Sequence, residues 1–247
     1  AAGKTALLAA IVRENPGPSV WISVSGLPEA RWLVACGAGD CVSVVPFSGE
    51  AVFEAAYSAL VNGARVVVID SLSQVDPSAS SVFVDSEHGG RGRWRLISHG
   101  LRRLKITAAS RGALVVFSNE LRSTLYGRME PTFHKITRPH VRASLRLYRI
   151  KMRSAYGEFG YLSVGVRVDR SVMVPPGGEA GFILTKSSGV NRALALLTAM
   201  VAAGMLERRG TVWAFGDVTL GPGYPAACVE IEKDYEFWRT EYERGHR

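Results

Sequence analysis

The stretch that most constrains this chain is Gly63 to Ser73, GARVVVIDSLS, a run of aliphatic residues that ends in a carboxylate. Val66 to Ile69 are β-branched, apolar on both faces and preceded by a glycine, the pattern of a buried central strand in a parallel sheet. Asp70 and Ser71 follow at its carboxyl end, where open α/β sheets place their ligands. A second stretch indicates what such a ligand would be. Gly3-Lys4-Thr5 runs directly into the apolar helical pattern of Ala6 to Val12, the second half of a phosphate-binding loop. There the backbone N–H groups and the helix N-terminus cradle phosphate, Lys4 neutralises it, and the Thr5 hydroxyl reaches Mg²⁺. Asp70 is then expected to hold the same metal through water. The other reading of Asp70 is a cap on the turn after the strand. Because the chain opens inside the motif and without Met, the first half of the loop is expected in an upstream segment.

Charge narrows the partners. Lys and Arg exceed Asp and Glu by eight and the pI is about 9.7, which favours a polyanion. Nucleic acid is favoured over a membrane, since no basic amphipathic helix with a continuous apolar face stands out. The alternative is a chain that is merely soluble and basic. Cys36, Cys41 and Cys228 have no metal-site spacing and leave an odd thiol, which suits a reducing cytosol. No apolar run reaches spanning length and no secretory pattern opens the chain, so a cytoplasmic location is expected.

Taken in order, Asn15-Pro16-Gly17-Pro18 breaks the first helix, and Ser19 to Val24 reads as a second buried strand. A helix follows from Gly49 to Leu60 and leads into the Asp70 strand, giving an α/β class with a parallel sheet. Asp76 to Gly92 is a long polar segment, of the kind that tends to be functional. After it a helix is predicted from about Arg93 to Ser110, and then a strand from Ala113 to Ser118, which stops at Asn119 and Glu120. Asn119 to His140 is a second long loop. From Arg122 to Arg153 nine Lys or Arg stand against one acid, Glu130. Tyr126, Phe133, His134 and His140 are interleaved with them, which suits a nucleic-acid backbone and its unstacked bases. A solvated, charge-rich loop is the alternative. Val141–Lys151 and Phe159–Val168 read as a hairpin at the sheet edge. Beyond Ser187 the character changes: a helix capped by Asn191, a short strand Thr211–Phe215 and a terminal helix Glu230–Glu243 suggest a small separate domain.

In this order the parts resemble the RecA-type recombinases, strand-exchange ATPases, over nearly the whole chain. Gly3-Lys4-Thr5 and Val66 to Ser71 are similar to the family's two nucleotide motifs. Ala113 to Arg122, ALVVFSNELR, is similar to the strand ending in Asn-Gln-Ile-Arg from which the family's second DNA loop departs. Asp85 to Leu104 resembles the first DNA loop and its helix, and Ser188 to Asn191, with Trp213 and Gly216, resembles the start of the small carboxyl-terminal domain. The resemblance implies a RecA-like P-loop core over residues 1–186, with a mostly parallel central sheet, and an α+β domain over 187–247. It implies ATP and Mg²⁺ as cofactors and single- and double-stranded DNA as partners, bound by a helical filament of identical subunits. Gly3, Lys4, Thr5, Asp70, Ser71 and Asn119 would form the ATP site, with Thr5 and Asp70 on the metal. Arg170, to within a residue or two, would reach a neighbour's ATP. Arg91, Arg93, Arg95, Arg122, Arg128, Lys135, Arg138 and Arg142 would meet DNA.

Two positions depart from the family. Its γ-phosphate-sensing Gln is Glu120 here, and its catalytic Glu falls on Ser25 or Gly26, leaving Glu29 as a substitute only if the loop folds back. A serine does not take a proton efficiently near neutral pH. The departures open a second reading, a RecA-like accessory protein of DNA repair or lesion bypass with little turnover. A third, a hexameric helicase motor, is less compatible with the carboxyl-terminal pattern.

Overall fold

The computed structural model describes residues 3–24, 26, 28–78, 89–123, 127, 129–150, 162–185 and 189–245, with 89–91 described by backbone alone. Its centre is a four-stranded parallel sheet in the order β2-β1-β3-β4, formed by β1 (Ser19–Ser23), β2 (Val42–Val44), β3 (Val66–Asp70) and β4 (Leu114–Phe117). All five residues of β3 are buried. The pleat sends successive side chains to opposite faces, which explains the unbroken apolar run. Val67 and Ile69 join a core with Val52, Phe53 and Leu60 of α3 (Gly49–Val61) and Ile97, Leu101 and Leu104 of α4 (Gly89–Arg111). Val66 and Val68 join another with Leu8 and Val12 of α1 (Lys4–Glu14) and Leu33 of α2 (Ala30–Ala35). Each such aliphatic side chain contributes roughly 1.5–3 kcal/mol by burial. A polar residue on either face of β3 would therefore be destabilising.

The helices end where local chemistry ends them. Ser48 caps α3 by accepting from the Ala51 amide at 3.2 Å. Asn191 does the same for α6 (Arg192–Ala202) at 2.9 Å from the Leu194 amide. The short α5 (His134–Thr137) begins at Phe133, a non-glycine residue held at φ 60°.

Several expectations are corrected. The predicted hairpin at the edge of the parallel sheet belongs instead to a second, antiparallel sheet in the order β10-β9-β8-β7. Its strands are β7 (Ala143–Arg149), β8 (Leu162–Ser171), β9 (Glu179–Thr185) and β10 (Gly189–Val190). Residues 151–161, between the two strands of that hairpin, lie outside the described residues, as does the 186/187 boundary. The loop from Asn119 to His140 is not structureless: β5 (Leu121–Ser123) and β6 (Met129–Pro131) pair antiparallel within it, and α5 follows. The single predicted terminal helix is two, α7 (Gly223–Lys233) and α8 (Tyr235–Gly245), broken at Asp234, whose φ of −139° leaves the helical region. Its carboxylate then accepts from the Phe237 amide at 3.3 Å. With α6 and the three-stranded sheet of β11 (Glu207–Arg209), β12 (Val212–Phe215) and β13 (Val218–Pro222), these helices enclose a core of Leu194, Leu197, Met200, Leu220, Ile231 and Trp238. No helix among the described residues is long and apolar enough to cross a membrane.

Candidate functional site

Two elements from distant parts of the chain converge at the carboxyl end of β3. The Thr5 hydroxyl, in the first turn of α1, donates to Asp70 Oδ2 at 3.0 Å. Ser118, at the end of β4, donates to Asp70 Oδ1. The register places it there: Ile69 lies opposite Phe117, so Asp70 and Ser118 are the next residues along two parallel strands. Asp70 is only 8% exposed and Ser118 5%, so a carboxylate is kept inside the fold by directed hydroxyl donors. The Asp70–Ser71 peptide is cis, and the Ser71 hydroxyl lies 2.9 Å from that of Ser73.

Gly3 introduces α1 with φ 76°, a conformation that favours glycine, and a Cβ there would overlap Leu184 of β9. Helix geometry leaves the first-turn amides without intrahelical acceptors. Lys4 and Thr5 therefore stand at a helix N-terminus that suits an anion. Next to it, the Thr5 hydroxyl and the Asp70 carboxylate are a pair of hard oxygen donors 3.0 Å apart. This donor set fits Mg²⁺, which keeps most of its waters and takes few protein ligands beside phosphate oxygens. Among the described residues no group of three or more His, Cys, Asp or Glu could hold a metal by itself. Bound there, the ion would neutralise phosphate charge.

The remaining residues singled out for catalysis lie differently. Glu29 precedes α2, is 73% exposed at its side chain and pairs with Arg31 at 3.1 Å. Ser25 lies outside the described residues. Asn119 is engaged as a brace: its Nδ2 donates to the Thr132 carbonyl at 2.6 Å and its Oδ1 accepts from the Glu120 amide at 2.9 Å. The Glu120 carbonyl accepts from the Thr132 amide at 2.8 Å and from its hydroxyl at 3.1 Å. The tip of β4 is thus fastened to the residue before Phe133.

The basic residues divide into two sets. Arg95, Arg122, Lys135, Arg138 and Arg142 are exposed, and none has a carboxylate partner among the described residues. Arg93 is different. It donates to the carbonyls of Val75 at 2.8 Å and Ser73 at 2.6 Å, pairs with Asp76 at 2.9 Å, and lies 4.8 Å from the centre of the Phe133 ring. Arg170 donates to the Arg138 carbonyl of its own chain. The side chain of Arg91 and all of Arg128 lie outside the described residues. His140 stands near Lys105 and Arg102, and burial together with these two cations pushes its pKa down. The thiols of Cys36, Cys41 and Cys228 are pushed up to about 11, chiefly by burial, which disfavours the thiolate near neutral pH.

Sequence reasoning missed Ser118 and Thr132. The signal for Ser118 was available, because a parallel neighbour of the Asp70 strand ends in a hydroxyl one step beyond Phe117. Thr132 gave none, since its partners are set by a tertiary turn.

The architecture is an α/β RecA-like core with additional antiparallel sheets. In sequence the chain is similar to Protein RecA of Solidesulfovibrio magneticus, 28% identical over 239 residues, covering 90% of this chain and 65% of that protein. It is 29% identical over 181 residues to Protein RecA of Nitratidesulfovibrio vulgaris, covering 68% of this chain and 49% of that one. With Protein RecA of Thermus thermophilus it is 27% identical over 208 residues, 78% of this chain and 59% of the other. No family model matches. The chain is RecA-like, and it spans about half to two-thirds of the length of these curated relatives.

Proposed function

We propose that this chain is the core of an ATP-dependent DNA-binding recombinase that assembles as a filament on single-stranded DNA and pairs it with a duplex in repair. The observation that carries this reading is the 3.0 Å contact between Thr5 and Asp70, with Asp70 linked through Ser118 to the strand tip from which the basic segment departs. Residues 1–186 form the nucleotide-binding core and 187–247 a small carboxyl-terminal domain, in the cytoplasm. Gly3, Lys4 and Thr5 hold the phosphates, Thr5 and Asp70 the Mg²⁺, and Arg170 reaches the nucleotide of a neighbouring subunit. ATP acts first as an allosteric ligand: phosphate at the helix N-terminus biases the strand tips, and these order the segments that bear Arg95, Arg122, Lys135, Arg138 and Arg142.

The test is anisotropy of a labelled single-stranded oligonucleotide, titrated with and without ATP and Mg²⁺ across a salt series. Affinity is expected to fall steeply with salt, by a logarithmic slope of about 0.7 per phosphate neutralised, and to rise with ATP. Lys4→Ala is expected to keep the salt dependence and lose the ATP effect. A flat salt response removes DNA from the proposal, and equal binding with and without ATP removes the switch. Steady-state ATPase with and without the oligonucleotide then distinguishes a recombinase from a non-hydrolysing accessory protein.

A further inference from the structure

We propose that Arg93 is a positioning residue that couples the exit of the Asp70 strand to the basic segment around Phe133, and that it is not itself a DNA contact. The proposal rests on the nucleotide and DNA reading above. Arg93 lies in the first turns of α4, amid the basic run Arg91, Arg93, Arg95. Its charge is already compensated by Asp76 at 2.9 Å. Its donors are directed at the carbonyls of Ser73 and Val75, and its side chain is only 23% exposed. A guanidinium committed to two carbonyls and a carboxylate offers little to a phosphate. Arg95, two residues on, is exposed and without a carboxylate partner among the described residues.

What Arg93 joins is more telling than what it lacks. Ser73 is three residues beyond Asp70. On the other side of the guanidinium is Phe133, at 4.8 Å, within cation–π range. Phe133 holds a left-handed backbone at φ 60°, strained for a bulky residue and kept only where its surroundings fix it. Thr132, just before it, is bonded to both Asn119 and Glu120. The contacts close a ring. Asp70 is bonded to Ser118; the next two residues hold Thr132; Phe133 packs on Arg93; and Arg93 grips Ser73, which leads back to Asp70. A displacement of Asp70 by a bound metal nucleotide would thus reach α4 and the basic segment together. Without Arg93 the ring opens, and each basic segment would respond alone.

The test compares Arg93→Ala, Arg93→Lys, Phe133→Leu and Arg122→Ala with the parent chain, using the oligonucleotide titration with and without ATP and Mg²⁺. For Arg93→Ala, the salt slope should stay at the parent value, while the ATP-dependent gain, of order 5–150-fold for such a coupling, collapses to about one. Arg93→Lys should fail the same way, because an ammonium lacks the fork that spans both carbonyls. Phe133→Leu, which leaves every charge in place, should also lose the gain. Arg122→Ala should do the reverse, lowering the slope by about 0.7 and keeping the gain. A lowered slope with an intact gain in Arg93→Ala would make it a phosphate contact and overturn the proposal. If the parent chain itself shows no ATP-dependent gain, the functional reading fails and hydrogen exchange decides the structural part. The amides of Gln74 and Val75, bonded to Ser71 and Leu72, and those of Ile136 and Thr137, bonded to Phe133, should lose protection together in Arg93→Ala and not in Arg122→Ala. Loss at one site alone, or at neither, overturns the coupling.

Discussion

Asp70 receives one hydroxyl from the first turn of α1 and another from the end of β4, so a single carboxylate ties three elements at the site. A hydrogen bond to an ionised group is worth about 1.5–3 kcal/mol, and the cost of losing it is larger where little water can replace it. Ser118→Ala is therefore expected to destabilise the chain by about 2 kcal/mol, read as a lower urea midpoint with an unchanged m-value. The carboxylate was legible from the sequence because an acid at the end of an all-aliphatic strand has few other uses. Its supporting hydroxyl, Ser118, stands directly before a more conspicuous polar pair, Asn119 and Glu120. The structure uses their side-chain amide and backbone to hold Thr132. Glu29 illustrates the opposite limit. The family resemblance offered it as a base only if its loop folded back, and its exposed carboxylate pairs with a neighbour in its own segment, Arg31.

At the scale of elements, the long periodic pieces were readable and the short ones were not. α1, α3, α4, β1 and β3 follow from runs of apolar residues whose periods match their geometry. α2, at six residues, and β2, at three, carry too little pattern to announce themselves, and the β5–β6 ladder depends on the Thr132 bonds that close it. One close approach between elements is decided by a single glycine. Gly100 of α4 faces Phe53 of α3, and a methyl added to it would overlap the ring. Gly→Ala in a helix gains about 1 kcal/mol in propensity, whereas overpacking a core contact costs about 1–3 kcal/mol. Phe53 is only 5% exposed and lies in the principal core, so the overpacking should win. Gly100→Ala is expected to lower stability by about 1–2 kcal/mol, and the Phe53→Leu/Gly100→Ala double variant to lose less than the sum of the singles, by about 0.5–3 kcal/mol. Additive losses measured by denaturation would show that the two helices do not meet at this point.

Across the whole molecule, the excess of eight positive charges is unevenly compensated, and composition alone gave no hint of this. In the carboxyl-terminal region Arg192, Arg209, Lys233, Arg239 and Arg244 each pair with a glutamate within 4 Å. Their net field is small, and as exposed pairs they add little to stability. Between Arg95 and Arg142 the balance is different: Arg95, Arg122, Lys135, Arg138 and Arg142 have no carboxylate partner among the described residues, although Arg103 in the same region is paired with Glu54. Counterion release depends on charge that phosphate can neutralise, and a cation already matched by a carboxylate releases less. For the proposed DNA binding, the salt dependence should therefore originate in the uncompensated set. Alanine at Arg122, Lys135 or Arg138 is expected to lower the logarithmic salt slope by about 0.7 each, roughly additively, on single-stranded DNA. Alanine at Lys233 or Arg239 is expected to leave it unchanged. If the two sets of variants shift the slope equally, binding follows the total charge of the chain, and the distribution of ion pairs has no part in choosing the face that meets DNA.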